Sequence, residues 1–339
     1  MASINRPGPV LCFGEMLLRL SATGRGLLLQ EERLDARFGG AEANVAVALA
    51  KLGRPAAMAT ILPDNAIGDA AIDALRRHGV IIDGIARRDG RMGLYFLTPG
   101  AGVRASAIFY DRADSVFARA RPGDFDWPAL LAGAGRLHLS GITPALGPDS
   151  AELALEAVRA ARAAGVPISF DGNYRARLWE AWDSDPRAIL TELIRHADLL
   201  FGNHRDIALL LGRAFHGDGP ERRREAALAA FAAFPNLRRI ASTARHIEDA
   251  DRHRLTARID TPDAAFETAE IEVAGIIDRI GTGDAFAAGV LHSLADGEAA
   301  AAETGLALAA LKHSIPGDFS LSGPRELAAF REGGRDVKR

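Results

Sequence analysis

The chain has 339 residues, 48% hydrophobic and 6% aromatic, which is enough apolar material for a sizeable core. Its 41 Lys and Arg stand against 44 Asp and Glu, a net charge of −3, which argues against nucleic acid or an anionic membrane as the main partner. Cys12 is the single cysteine, so an internal disulfide is excluded. There is no run of 18 apolar residues and no apolar signal core in residues 1–9, so the expectation is a soluble cytoplasmic protein.

Short apolar strands alternate with Ala- and Leu-rich helices, the pattern of an α/β fold with a parallel sheet. Residues 10–14 read as the first strand, with Cys12 buried in it as a small apolar side chain. Gly39-Gly40 opens a helix over 41–52, where Val45, Ala48, Leu49 and Leu52 share a face and Gly53 closes the last turn. Residues 56–62, 137–140, 168–171, 199–203 and 240–242 read as further buried strands. Helices over 69–78, 150–164, 186–196 and 221–233 separate them, and two more, near 284–295 and 300–313, end the chain. The basic run Arg222-Arg223-Arg224 reads as a solvated helix start. Two segments, about 17–38 and 93–112, break the rhythm. They are extended, and Pro99-Gly100-Ala101-Gly102 between Leu94-Tyr95-Phe96-Leu97 and Ala107-Ile108-Phe109-Tyr110 has the form of a hairpin turn. Both are too short to stand alone and suit a small sheet covering a site, so one domain over 1–339 is expected.

The most informative stretch is Ile280-Gly281-Thr282-Gly283-Asp284-Ala285-Phe286, a glycine turn feeding straight into a helix. Glycines let backbone N–H groups converge on a ligand, and the helix adds the positive end of its dipole, so the turn suits an anion. Asp284 beside an anion hole is either a helix cap or a base that takes a proton from an attacking hydroxyl. A dinucleotide fingerprint is excluded because Phe286 stands where its third glycine belongs, and no Gly-Lys-Ser/Thr loop occurs anywhere. Gly39-Gly40-Ala41-Glu42-Ala43-Asn44 is a second glycine turn, where Asn44 either caps the helix or meets a sugar hydroxyl. Asn173, Arg175 and Arg177 follow a buried strand; the arginines suit either a bidentate carboxylate contact or surface ion pairs. Asn203 and Asp206 share a helix face and read either as caps or as oxygen ligands for a hydrated Mg²⁺.

Taken together, these segments resemble the ribokinase-like (PfkB) carbohydrate kinases over nearly the whole chain. Gly39-Gly40…Asn44 is similar to that family's N-terminal signature, Gly281-Thr282-Gly283-Asp284 to its C-terminal Gly-Ala-Gly-Asp, and Asn203…Asp206 to its Asn-x-x-Glu element. Phe13 to Ser21, Phe109-Tyr110-Asp111-Arg112 with Ser115, Asn173-Tyr174-Arg175 and Lys312 to Phe319 are similar to members acting on 2-dehydro-3-deoxygluconate; Glu15 stands near the position of the Asp that typical ribokinases use to bind furanose hydroxyls.

The resemblance implies a three-layer α/β/α sandwich with a central, mostly parallel sheet and a small β-sheet lid. It implies transfer of phosphate from ATP, with Mg²⁺, to the 6-hydroxyl of that keto acid. Asp284 would be the base, Gly281, Thr282, Gly283 and Asp284 the anion hole. Gly39, Gly40, Asn44, Tyr95, Tyr110, Arg112, Asn173 and Arg175 would form the acceptor site, and Asp206 would sit on the metal side. Asn203, Ser242, Thr243 and Arg245 would border the nucleotide, Lys312 and His313 would either edge its pocket or hold a helix C-terminus through its dipole, and a homodimer or larger assembly would be the partner state. The family's Gly-x-x-Gly phosphate loop is absent from Ser242-Thr243-Ala244-Arg245-His246. A kinase for the galactonate epimer or a neutral ketose, and a non-catalytic sugar-acid sensor, are the alternatives.

Overall fold

The alternation of side chains in the first strand sets the layering. A computed structural model describes residues 6–333 apart from residue 218. In Val10–Phe13, Leu11 and Phe13 join one apolar core while Val10 and Cys12 join another, as a strand's two-residue period requires. Residues Ala57, Ala59 and Ile61 against Ala56, Met58 and Leu62 divide the next strand, Ala56–Pro63, in the same way. The first core is covered by helices that include Pro148–Ala163, Pro186–Ile194 and Pro220–Ala233. The second is covered by Ala41–Lys51, Ala66–Arg77, Thr282–Ser293 and Glu298–Lys312. The result is three layers, helix on sheet on helix.

The central sheet runs from Ala265–Glu267 through Arg252–Asp260, Arg239–Ile247, Leu199–Phe201, Ile168–Asp171, Arg136–Ser140, Val10–Phe13 and Ala56–Pro63 to Ile81–Arg88, with Ile271–Ala274 paired alongside Arg252–Asp260. From Ile81–Arg88 to Arg239–Ile247 every pairing is parallel; only the strands on Arg252–Asp260 pair antiparallel. The two irregular segments form a second sheet of four strands in the order Leu34–Gly39, Leu17–Ala22, Gly93–Thr98, Ala107–Asp111. The expected hairpin is its Gly93–Thr98 and Ala107–Asp111 pair.

Some boundaries differ from the sequence reading, each for a local reason. The helix expected from 69 begins at Ala66, because the Asn65 side chain accepts the amides of Ile67 and Gly68. The strand expected over 240–242 runs on to Ile247, held by antiparallel pairing with Arg252–Asp260. That strand occupies the place of a glycine loop. The ends of Val10–Phe13, Ile168–Asp171 and Leu199–Phe201 all open toward the same edge of the parallel sheet, where open α/β folds bind ligands.

Candidate active site

Gly281 starts the Thr282–Ser293 helix in a left-handed conformation, φ 81°, that a side chain rarely adopts. A Cβ there would also lie 2.0 Å from the Asp318 carbonyl oxygen. The amide of Ala285 bonds the Gly281 carbonyl at 2.9 Å, which leaves the first-turn amides of Gly283 and Asp284 without a preceding helical carbonyl. Two such amides at the positive end of a helix suit an anion.

Asp284 itself is gripped from the other glycine turn: Asn44 Nδ2 donates to its Oδ2 at 2.6 Å. Burial pushes the Asp284 carboxyl up to about 6, against the Asn44 bond, which lowers it; Asp318 nearby raises it further, and Arg175 and Lys312 oppose. A carboxylate poised there accepts a proton readily near neutral pH. Asn44 Oδ1 and Glu42 Oε1 are both buried without a protein partner. Burial drives the Glu42 carboxyl to about 7 and raises Asp171 well above the usual carboxylate range, with Asp284 adding to both shifts.

Two clefts meet at this point. One, of about 620 Å³, is lined by Gly40, Asn44, Tyr95, Tyr110, Arg112, Asn173 and Asp284, and also by Glu15, Glu42, Asp171, Arg279 and Asp318. The other, of about 700 Å³, is lined by Asn203, Ser242, Thr243, Thr282 and His313 and by apolar Ile207, Ile240, Leu255 and Leu306. Arg175, Arg245 and Gly283 border both. Arg175 bonds only the Tyr174 carbonyl, at 3.2 Å, and no carboxylate pairs with Arg175, Arg245 or Arg279 among the described residues. A ligand in each cleft would bring its reacting end to Gly283, beneath Asp284 and beside unpaired guanidinium groups.

A model of the pfkB family carbohydrate kinases matches residues 9–241. The chain belongs to that family. It is 34% identical to the 2-dehydro-3-deoxygalactonokinase of Haloferax volcanii over 327 residues, 96% of this chain and 97% of that one. It is 26% identical to the 2-dehydro-3-deoxygluconokinase of Bacillus subtilis, covering 96% of each chain. The crystal structure of 2-dehydro-3-deoxygluconokinase from Thermotoga maritima superposes with a TM-score of 0.90 at 36% identity, over 96% of this chain and all of that one. The pfkB protein described here is thus a carbohydrate kinase with the ribokinase-like fold expected of it.

Several residues of this kinase have other positions or partners than their motifs suggested. Asp206 lines neither large cleft: its Oδ2 accepts the Asn203 amide at 2.8 Å while Asn203 Oδ1 accepts the Arg205 amide at 2.8 Å, a reciprocal cap. Among the described residues no group of three or more His, Cys, Asp or Glu is placed to hold a metal ion, and one oxygen of the Asp206 carboxylate serves the cap. Lys312 is fully buried away from both clefts and donates to the Ile315 carbonyl at 2.9 Å; burial lowers its pKa to about 8. His313 does line the larger cleft, with Nδ1 on the Ala309 carbonyl at 2.8 Å. Gly39 is a packing glycine, since a Cβ would lie 2.1 Å from the Asp318 carboxylate. Arg112 reaches the smaller cleft, but its Nε and Nη2 both grip Glu15, whose other oxygen accepts from Ser115. The Tyr95 hydroxyl donates a hydrogen bond to Asp318 Oδ2.

Glu42, Asp171, Arg279 and Asp318 received no role from the sequence. Glu42 lies inside the Gly39–Asn44 motif and Asp171 closes a buried strand, the position where ligand-facing residues collect. Asp318 lies in the Lys312–Phe319 stretch without a role of its own there, and Arg279 joins the site only through the fold.

Proposed function

We propose that this kinase transfers the γ-phosphoryl group of ATP to the 6-hydroxyl of 2-dehydro-3-deoxy-D-gluconate, giving the 6-phosphate and ADP. Asp284 takes the hydroxyl proton as the oxygen forms its bond to phosphorus and the bond to the ADP oxygen breaks. The Gly283 and Asp284 amides face the charge that develops on the phosphoryl oxygens, with Gly281 and Thr282 fixing the turn that presents them. The observation that carries this reading is the meeting of both clefts at Gly283, directly beside Asp284. The smaller cleft holds the acceptor, with Gly40, Asn44, Tyr95, Tyr110 and Asn173 in its wall; the larger holds the nucleotide along Asn203, Ser242, Thr243, Arg245 and His313. Mg²⁺ would neutralise phosphate charge, held mainly by the nucleotide itself, because the protein offers no multi-carboxylate cage among its described residues.

A sugar acid suits the acceptor cleft because Arg175 enters it without a carboxylate partner, ready for the planar anion that a neutral sugar lacks. The names of the Thermotoga and Bacillus relatives favour the gluconate epimer; that of the Haloferax relative favours the galactonate epimer, the second reading. A coupled ADP-release assay over both keto acids, fructose and ribose tests the proposal. Turnover confined to fructose or ribose sinks the sugar-acid assignment, and preference for galactonate reverses the epimer.

The small sheet closes the acceptor cleft as a lid, since Leu17, Tyr95, Ile108 and Tyr110 from its strands line it. Its exposed Phe109, stacked near Phe96, supports a homodimer formed through this sheet, to be checked by light scattering on the eluted protein. A cytoplasmic location accords with one buried, unpaired cysteine.

A further inference from the structure

Two stretches similar to sugar-acid kinases, one around Arg19 and one over residues 312–319, lie far apart in the chain, yet the fold brings them into contact through Arg19 and Asp318. Arg19, on the lid strand Leu17–Ala22, is buried. Its Nη2 pairs with Asp278 Oδ2 at 2.6 Å, its Nη1 with Asp318 Oδ1 at 3.0 Å, and its Nε donates to Ser21 Oγ at 2.6 Å. Asp278 spends its remaining capacity on backbone: Oδ1 accepts the Ile280 amide at 3.0 Å and Oδ2 the Gly317 amide at 2.9 Å. Asp318 Oδ2 accepts the hydroxyl of Tyr95, from the neighbouring lid strand, and the Asp318 carbonyl rests on Gly281.

One guanidinium therefore joins three pieces of chain: the lid, the loop entering the anion hole, and the loop packed against Gly281. A fork of fixed geometry suits this task better than a flexible ammonium, because each edge meets a different carboxylate. Burying one cation between two carboxylates is costly unless every partner is in place, so the arrangement holds only when lid and loop are seated together. On the reading that Gly281–Asp284 receive the phosphoryl group, we propose that Arg19 is a positioning residue for catalysis: lid seating, through Asp278 and Asp318, sets the anion hole.

The test compares Arg19→Met and Arg19→Lys with wild type. Hydrogen–deuterium exchange of the ligand-free proteins is read at residues 276–286, with the strand Ile168–Asp171 as an internal control for global opening. In Arg19→Met, exchange should quicken over 276–286 and stay unchanged in the control strand. In steady-state assays on the keto acid, kcat should fall about 10²-fold, the cost of a small misplacement of reacting groups, with both KM values within a few-fold. Arg19→Lys, which keeps the charge but not the fork, should fall between, and carries the test if Arg19→Met does not fold. Added guanidinium ion should restore part of the kcat of Arg19→Ala and none in wild type. Unchanged exchange over 276–286, or a raised KM for the acid with kcat intact, overturns the proposal. A wild type that turns over no sugar acid sinks the function proposed above, and the exchange rates over 276–286 then decide the coupling by themselves.

Discussion

Replacing Asn44 with alanine should move the acid limb of the pH–rate profile upward. Asp284 titrates at about 6 because burial raises it, and the 2.6 Å bond from Asn44 is the largest influence holding it down. A hydrogen bond to a charged group contributes roughly 1.5–3 kcal/mol. At about 1.4 kcal/mol per pKa unit, losing it raises the ionisation by roughly one to two units. Water entering the space of the amide returns part of that, so a limb displaced by about one unit, from near pH 6 to near pH 7, is expected. The sign follows from the chemistry: a base must be ionised to work, so activity is lost as pH falls through its pKa, and a higher pKa brings that loss to higher pH. The assay is kcat/KM for the keto acid from pH 5 to 9 at saturating ATP. A plateau that drops while the limb stays near pH 6 would show that Asn44 serves the substrate and not the base. A limb that moves to lower pH would refute the electrostatic reasoning outright.

The remaining predictions concern other parts of the same site. Asp284→Asn should lower kcat by about 10²–10⁴-fold through loss of the base, with KM values for both substrates within a few-fold; undiminished turnover removes Asp284 from the mechanism. Arg175→Met should raise KM for the keto acid by roughly 10- to 100-fold, the worth of a charge-assisted contact, and leave any residual turnover of fructose nearly unchanged. Arg245→Met and Arg279→Met should each weaken binding of a non-hydrolysable ATP analogue, measured by calorimetry, more than binding of ADP; equal losses on both nucleotides would take the pair away from the terminal phosphate.

How much of this is legible in the sequence follows from the range over which each signal acts. The glycine turn at 281–284 is readable because backbone freedom, helix start and acidic residue lie within four positions. The lid hairpin is readable for the same reason. The pairing of Arg112 with Glu15 is not readable, because the two lie 97 residues apart and nothing near either residue announces the pair. Asp206 is the opposite case. Its alternative as a cap is visible locally, and only the resemblance to a metal-side element competes with it. Lys312 sits in an apolar helix whose burial depends on two other helices packing around it, so its seclusion cannot be read from its own stretch. Glu42 and Asp171 lie in recognisable motifs without a role there, because only the assembled cleft shows that their carboxyl groups face Asp284.

The larger cleft, proposed for the nucleotide, is bordered by a strand where the family's motif has a glycine loop. A glycine loop offers phosphates a ring of amides; here the same stretch is strand, and its alternate amides and carbonyls are committed to Arg252–Asp260 through the ladder Ser242–Arg258 to Ile247–His253. What a strand offers instead is alternation, which sends Thr243 and Arg245 to one side. Both line the larger cleft. Arg245 also feels Arg279, whose nearby charge, after burial itself, lowers its pKa. Two guanidinium groups stand close enough for the charge of one to act on the other, and neither forms a salt bridge to a carboxylate among the described residues. Arg175 is a third such group on the same border. The acceptor cleft, by contrast, is rich in carboxyl groups that are either paired, as Glu15 and Asp318 are, or pushed toward the neutral form, as Glu42 and Asp171 are. Arg175 and Arg245, neither in a salt bridge to a carboxylate among the described residues, stand along the line where the clefts meet. That line is where a phosphoryl group would change owners, and where a sugar acid would place its own carboxylate within reach of Arg175.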